Sequence, residues 1–465
     1  MQKPFSFYLI TDPHYFENSL GASGEAYDKF NLNEQKCLAE TGAIIDSAFE
    51  TLCADKATQV VIIPGDLVFN GEKESHRGFI KKLETLRACG KQIYVTTAGH
   101  DYSDNPTAFE GDKRIPVEGT KREELLELYN DYGYSDTLAF DARTYSYVSQ
   151  IAGGVRLIAL NCDGDGKDFH GFDEEQMQWI KTQIDAAKAA GDVFFAINHY
   201  PILPGSPIMA MVGDAVITNW QEVSTKLADW GLQLVFTGHM HMQTINAKTT
   251  ENGNTLYDVC TGSLVGCPAS IRKVTFLDEK TVEIKSSRIE DFDWEKNDMT
   301  ANEYFAWRFD RMINTTIDSM VDNPEGFSRK MSKAGSKPKN LGLIKIAGKT
   351  IQKLTLGKLG RLIWIKVDPS LKNVLVRDLS VEVVRNMFEG DEPYVEGTPV
   401  HTLFMKALKR FRPVVKKTEK KLGKKHAALS AIPAFVSELI GNSGMPDNDA
   451  TIELGEAIGE RWVIG

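Results

Sequence analysis

Five short motifs, each holding an aspartate, a histidine or both, stand directly behind five apolar runs. No other feature constrains the chain as much. The motifs are Asp12-Pro13-His14, Gly65-Asp66-Leu67, Gly99-His100-Asp101, Asn198-His199-Tyr200-Pro201 and Gly238-His239-Met240-His241. The runs before them cover 7–10, 60–63, 93–95, 193–197 and 234–236. Short runs rich in β-branched and aromatic residues read as buried strands. Helical spacing recurs over 33–52, 75–89 and 173–190, with Gly90 and Gly191 placed to end two of these helices. Strands alternating with helices build an α/β sheet, and such sheets gather ligands at the C-terminal ends of their strands. The five motifs therefore converge on one place.

Imidazole and carboxylate donors together suit Mn, Fe or Zn better than Ca or Mg alone. In Asp12-Pro13-His14 and His239-Met240-His241 the donors lie two residues apart, so an extended segment presents both on one side. Gly65 allows the backbone at Asp66 to approach its neighbours closely. No Walker loop, Gly-x-Ser-x-Gly or Gly-x-Gly-x-x-Gly occurs, which leaves nucleotide-fuelled and serine-nucleophile chemistry without a handle. The acidic, glycine-rich stretch 161–166 lacks the complete spacing of a calcium loop and reads as a loop beside the site. Asn70, Glu72 and His76 read as loop or helix-cap residues, and Trp179, Trp220 and Trp230 as core.

In this order the motifs resemble the calcineurin-like metallophosphoesterase superfamily, whose pattern runs Asp-x-His, Gly-Asp, Gly-Asn-His-Asp/Glu, His and Gly-His-x-His. The resemblance covers roughly residues 1–290 and, on the stretch 65–72, is nearest the bacterial cyclic-nucleotide phosphodiesterase branch. It implies an α/β fold of two packed mixed β-sheets flanked by helices, followed here by a C-terminal helical domain over 291–465. It also implies two divalent or trivalent transition-metal ions. Asp12, His14 and His241 would hold the first, His199 and His239 the second, and Asp66 would bridge them about 3.5–4 Å apart. The implied reaction is hydrolysis of a small phosphodiester, with cyclic nucleotides as one candidate class, by attack of a metal-bound hydroxide. His100 would stabilise transition-state charge or protonate the leaving oxygen, oriented by Asp101. One position departs from the pattern: Gly99 stands where the family has an asparagine that ligates the second metal. Glycine offers no side-chain oxygen, so the second site is expected to bind its ion more weakly. A phosphomonoesterase or nucleotide pyrophosphatase could run on the same ligands. A third reading takes Gly99 as decay, leaving a catalytically weak metal-binding scaffold that docks anionic partners.

A chain of 465 residues, 42% hydrophobic, can bury a large core. No stretch has the apolar length of a membrane-spanning helix. The N-terminus runs straight into the first strand and leaves no room for a signal peptide, so a cytoplasmic protein is expected. Six cysteines without a Cys-x-x-Cys pair are expected to be reduced thiols. The net charge of −10 divides into −15 up to residue 290 and +5 beyond it. Beyond 290, helices are expected over 402–415 and 426–440, with loops at 332–340 and 389–399. Lysines crowd 406–425, and 341–364 mixes Ile, Leu and Trp with Lys. A nucleic-acid face, a membrane-surface helix and a guide for anionic substrates all compete here with a plain solvated lysine face, which is the simplest account.

Overall fold

The computed structural model describes residues 4–164, 166, 169–205, 209, 214–330, 340–422 and 446–455. All but the last residue of the loop expected at 332–340, the helix expected over 426–440 and the lysine side chains of 416–425 lie outside the described residues. The strands in chain order are β1 (Phe5–Leu9), β2 (Val60–Pro64), β3 (Gln92–Thr96), β4 (Thr107–Glu110), β5 (Lys113–Pro116), β6 (Ala139–Asp141), β7 (Ser146–Ala152), β8 (Val155–Ala159), β9 (Val193–Ile197), β10 (Leu234–Thr237), β11 (Thr244–Thr249), β12 (Thr255–Cys260), β13 (Ser270–Phe276), β14 (Thr281–Arg288) and β15 (Ala450–Glu453). The helices are α1 (Glu25–Asn31), α2 (Thr41–Ala54), α3 (Lys73–Ala88), α4 (Glu124–Leu128), α5 (Glu174–Ala190), α6 (Trp220–Trp230), α7 (Ala301–Asp322), α8 (Pro324–Lys330), α9 (Leu341–Lys353), α10 (Leu356–Leu362), α11 (Val376–Glu389) and α12 (Pro399–Leu422).

Two mixed sheets carry the fold. One runs β15-β14-β13-β1-β2-β3, with β1, β2 and β3 parallel; the other runs β11-β12-β10-β9-β8-β7-β6, with β8, β9, β10 and β12 parallel. Their inner faces pack Phe7, Leu9, Val60 and Ile62 against Phe195, Ile197, Phe236 and Val259. The Phe7 ring stacks on Phe195 at 5.0 Å and meets Phe236 edge-on at 5.3 Å. Truncating such a ring to alanine costs about 3–5 kcal/mol. β2 shows why its sequence is apolar throughout. Val60 and Ile62 face the other sheet, while Val61 and Ile63 join the core with α2 and α3. On the far side, α5 and α6 cover the second sheet through Ile180, Ile184, Trp220 and Leu227.

The helix expected from residue 33 begins only at Thr41. Its first part is pulled into other contacts: Cys37 N donates to Val265 O at 2.7 Å, and the Gln35 side chain reaches His241. The expectation of uniformly reduced thiols is also corrected. Cys53, near the end of α2, is disulfide-bonded to Cys89, just beyond α3, because these packed helices bring the two Cα atoms to 5.7 Å. Thiol chemistry therefore gives a cytoplasmic location no support. Among the described residues, no helix is long and apolar enough to cross a membrane.

Beyond 290 the described residues are mainly helical, yet α7, β15 and the α10–α12 segment tie them to the front block. α7 adds Tyr304, Phe305 and Phe309 to the core of α2 and α3, and its buried Arg308 pairs with Glu40. β15 is a strand in a stretch expected to be helical, and it pairs with β14 from Ile284↔Ala450 to Thr281↔Glu453. α10, α11 and α12 supply Leu356, Leu379, Val383, Met387 and Leu403 to a cluster built on Met242 and Met240. Those two methionines flank His241.

Candidate metal centre

The parallel strands end where the motifs begin. Past β1, Ile10 N still pairs with Ile62 O, and His14 N and Tyr15 N donate to Asp66 O and Leu67 O at 3.0 Å each. The backbone then does something costly. Asp12, His14, Asp66, His239 and His241 have φ of 51°, 38°, 51°, 65° and 56°, the left-handed region that side chains avoid. Each such residue costs on the order of 1 kcal/mol or more, so its surroundings must hold it there. His239 N donates to both Asp12 carboxylate oxygens, at 3.2 and 3.0 Å, and Ser263 Oγ donates to Asp12 O at 2.8 Å. Two glycines make room. A Cβ on Gly238 would collide with the Asp12 carboxylate, and one on Gly65 (φ 86°) would stand 2.8 Å from His199 Nδ1.

The six candidate ligands gather into two groups, Asp12 with His14 and His241, and Asp66 with His199 and His239. His14 Nε2 lies 3.1 Å from His241 Nε2, which in turn lies 3.3 Å from Asp12 Oδ1. Asp66 Oδ2 is 3.6 Å from His14 Nε2 and 3.1 Å from His199 Nε2, so it stands between the groups. Around an ion bonded at 2.0–2.2 Å, neighbouring ligand atoms sit about 3–3.5 Å apart. The observed spacings fit such an ion. The buried His199 Nε2 fits it too: it approaches Asp66 closely yet has no aligned hydrogen-bond partner among the described residues.

Carbonyl groups decide which ring nitrogen three of the four candidate histidines offer, since a carbonyl can only accept. His199 Nδ1 donates to Pro64 O at 2.9 Å, leaving Nε2 free. His239 Nε2 donates to Asp214 O at 2.7 Å, leaving Nδ1. His241 Nδ1 is 3.0 Å from Gln35 Oε1, again leaving Nε2. The electrostatics agree with a cation site. Burial alone would raise Asp66, but His199, His100 and His14 hold its carboxyl well below the usual range. Burial would likewise lower His199, but Asp66 and Asp12 carry it up to about 10. Burial pushes His239 down to about 3. The pocket thus draws positive charge to the point between its carboxylates.

His100 and Asp101 do not form the oriented pair expected of them. The Asp101 carboxylate accepts from Leu67 N, Val68 N and Ala98 N at 2.6, 3.1 and 2.8 Å, which locks the loops after β2 and β3 together. Burial, then the nearby Asp66, pushes this carboxyl up to about 8. His100 is oriented instead by Phe69 O, 2.5 Å from its Nδ1, and its ring meets His14 edge-on at 5.0 Å. Burial and the Lys36 ammonium push it down to about 4.

A family model described as calcineurin-like phosphoesterase matches residues 5–243, just over half of the chain. The chain belongs to the calcineurin-like phosphoesterase family. A probable glycerophosphodiester phosphodiesterase of Arcobacter nitrofigilis is 25% identical over 146 residues. That match spans 31% of this chain and 43% of the relative's length. A dimetal phosphatase from Danio rerio is similar at 16% identity and a TM-score of 0.45, over 64% of this chain and 98% of that one. A purple acid phosphatase from yellow lupin is similar at 11% identity and a TM-score of 0.40, over 63% and 53%.

Its family is one of binuclear metal-dependent phosphoesterases, and the two groups are this chain's candidate places for the ions. Gly99, where the family pattern has asparagine, has no positive φ, and a Cβ there would meet nothing within 4 Å. The backbone does not require glycine at that position. Tyr200 walls the second group, stacked on His239 at 3.7 Å and on His170 at 4.5 Å, with His170 Nδ1 3.2 Å from Asp163 Oδ1. Three contributors escaped the sequence. Gln35 orients His241, buried Lys36 lowers both His14 and His100, and His76 bonds Asp101 O through Nε2 at 2.8 Å. Gln35 and Lys36 take their roles from the loop that carries them, and His76 takes its role from the first turn of α3.

Proposed function

We propose that this phosphoesterase is a phosphodiesterase acting on small phosphodiesters, with cyclic nucleotides as one candidate class, over two Mn, Fe or Zn ions. The observation that carries the reading is Asp66 Oδ2, placed between an Asp-His-His group and a His-His group with spacings that suit one ion on each side. Asp12, His14 and His241 would hold the first ion, His199 and His239 the second, and Asp66 both. Bound there, the ions would neutralise phosphoryl charge and lower the pKa of water so that it attacks at neutral pH.

The remaining work falls to the chain. With Nδ1 committed to Phe69 O, His100 presents Nε2 to the substrate, and an anionic phosphoryl group beside it would favour its protonated form. In that form it stabilises charge on the phosphoryl oxygens or gives a proton to the leaving alkoxide. Lys36 adds a fixed positive charge near the same edge. Asp101 and His76 hold the loop that carries His100. The diester preference is supported by the relative named as a probable glycerophosphodiester phosphodiesterase. In this reading residues 1–290 are the catalytic unit, and 291–465 form an accessory unit that returns one strand, β15, to the catalytic sheet.

The test is to strip the protein of metal, reload it with Mn, and assay bis-p-nitrophenyl phosphate and p-nitrophenyl phosphate side by side while counting bound metal. Diester turnover with two ions per chain is expected. Turnover of the monoester alone would make it a phosphomonoesterase. No turnover with one ion or none would make it a metal-binding scaffold.

A further inference from the structure

The unit formed by α9 and α10 carries a surface for which the metal centre has no use. From 341 to 367 the sequence holds six Lys and Arg and no Asp or Glu, in a chain that is acidic overall. In α9, Gly348 packs against Met320 and Val321 of α7, which fixes the buried side. Leu343, Ile346, Ala347 and Thr350 stand at i, i+3, i+4 and i+7 on another side, and Lys345, Lys349 and Lys353 line their flank. Leu343 and Ile346 are 67% and 63% exposed. Two residues separate α9 from α10, which is followed by Trp364. Leu362 and Trp364 are 67% and 81% exposed, among the exposed Lys358, Arg361 and Lys366. Arg410 of α12 adds a guanidinium 5.5 Å from the Trp364 ring.

Single exposed apolar residues are ordinary, but four large ones set among lysines in one short unit mark an interaction surface. A nucleic acid would engage the lysines through phosphate and leave the aliphatic side chains without a partner. An anionic bilayer uses both, since headgroups pair with the lysines, apolar tips enter the acyl boundary and Trp favours the interface.

We propose that the α9–α10 surface docks this protein on anionic lipid bilayers. The inference is independent of the metal chemistry. It gives the accessory helices a task, because α10 also packs in the cluster on Met240 and Met242 that flanks His241. The test is flotation of the full chain with vesicles of phosphatidylcholine alone or mixed with phosphatidylglycerol. Flotation with the anionic vesicles only is expected. A Leu362→Ser/Trp364→Ser variant and a Leu343→Ser/Ile346→Ser variant should each lower that partitioning about tenfold or more. Lys345→Glu/Lys349→Glu should lower it too. The changed side chains are solvent-exposed, so circular dichroism should match the parent. No flotation with anionic vesicles would overturn the proposal, as would variants that float like the parent. Retention on a polynucleotide, with vesicle binding absent, would assign the lysines to nucleic acid and overturn it as well.

Discussion

The two candidate ligand groups are built from the same strand ends, yet one is enclosed and the other open. Asp12, His14 and His241 are all buried, with Asp66 reaching toward them and Gln35 fixing the last ring. In the second group His239 is partly exposed, and Gly99 presents open space where the family pattern has a ligand. Left-handed backbone occurs in both groups, so the fold enforces the position of each. What differs is how many donors individual side chains supply. Geometry is set by the sheet ends, whereas occupancy can be changed by a single residue.

That contrast can be broken most severely at its shared member. Asp66→Asn should reduce metal at both groups and cut turnover on the order of 10³-fold or more, whereas His241→Ala should lose turnover with metal depleted mainly at the first. Elemental analysis beside a diester assay decides it, and equal residual metal in the two variants would argue against a bridging Asp66. Next in size, His100→Ala should keep its metal and lose about 10²–10³-fold in kcat. Loss of metal there would make His100 part of the centre itself. Gly99→Asn sharpens the comparison from the other side. It should fold normally and tighten the second ion about 10-fold or more, read by metal titration. Unchanged affinity would mean that Gly99 does not explain the open group.

The smallest effect concerns the loop between the groups. Burial pushes His76 down to about 4, and it stays neutral between Tyr129 Oη and Asp101 O. Its folded value lies below the ordinary histidine value, so the stability it contributes is present above about pH 6.5. That stability is lost as pH falls toward 4, by up to roughly 3 kcal/mol. Denaturant titrations across this window should show the loss, and His76→Gln should flatten it. A wild-type curve as flat as the variant's would remove His76 from the account.

Much of this was legible because its cause is local. An apolar run followed at once by Asp or His declares both a buried strand and the donors at its tip, so all six candidate ligands were visible before the fold. The parts that were not legible depend on chain segments far apart. Nothing near Gln35 announces that it will orient His241, 206 residues away, or that this contact ends the helical pattern begun at residue 33. Asp101 looked like a partner of His100 because it adjoins it, but a carboxylate surrounded by three backbone N–H groups bonds those instead. Cys53 and Cys89 meet only because α2 and α3 pack together, and β15 joins a sheet whose other edge strand lies more than 350 residues earlier.

The left-handed backbone of Asp12, His14, Asp66, His239 and His241 has a consequence for engineering. Glycine would relax the chain at each of these positions. A search for heat resistance that ignores turnover would therefore be drawn to replacing these five residues, and each gain in melting temperature would dismantle the site. Any programme to harden this protein has to hold them fixed and look for its gains elsewhere, in the loops and helix ends remote from the two sheets' tips.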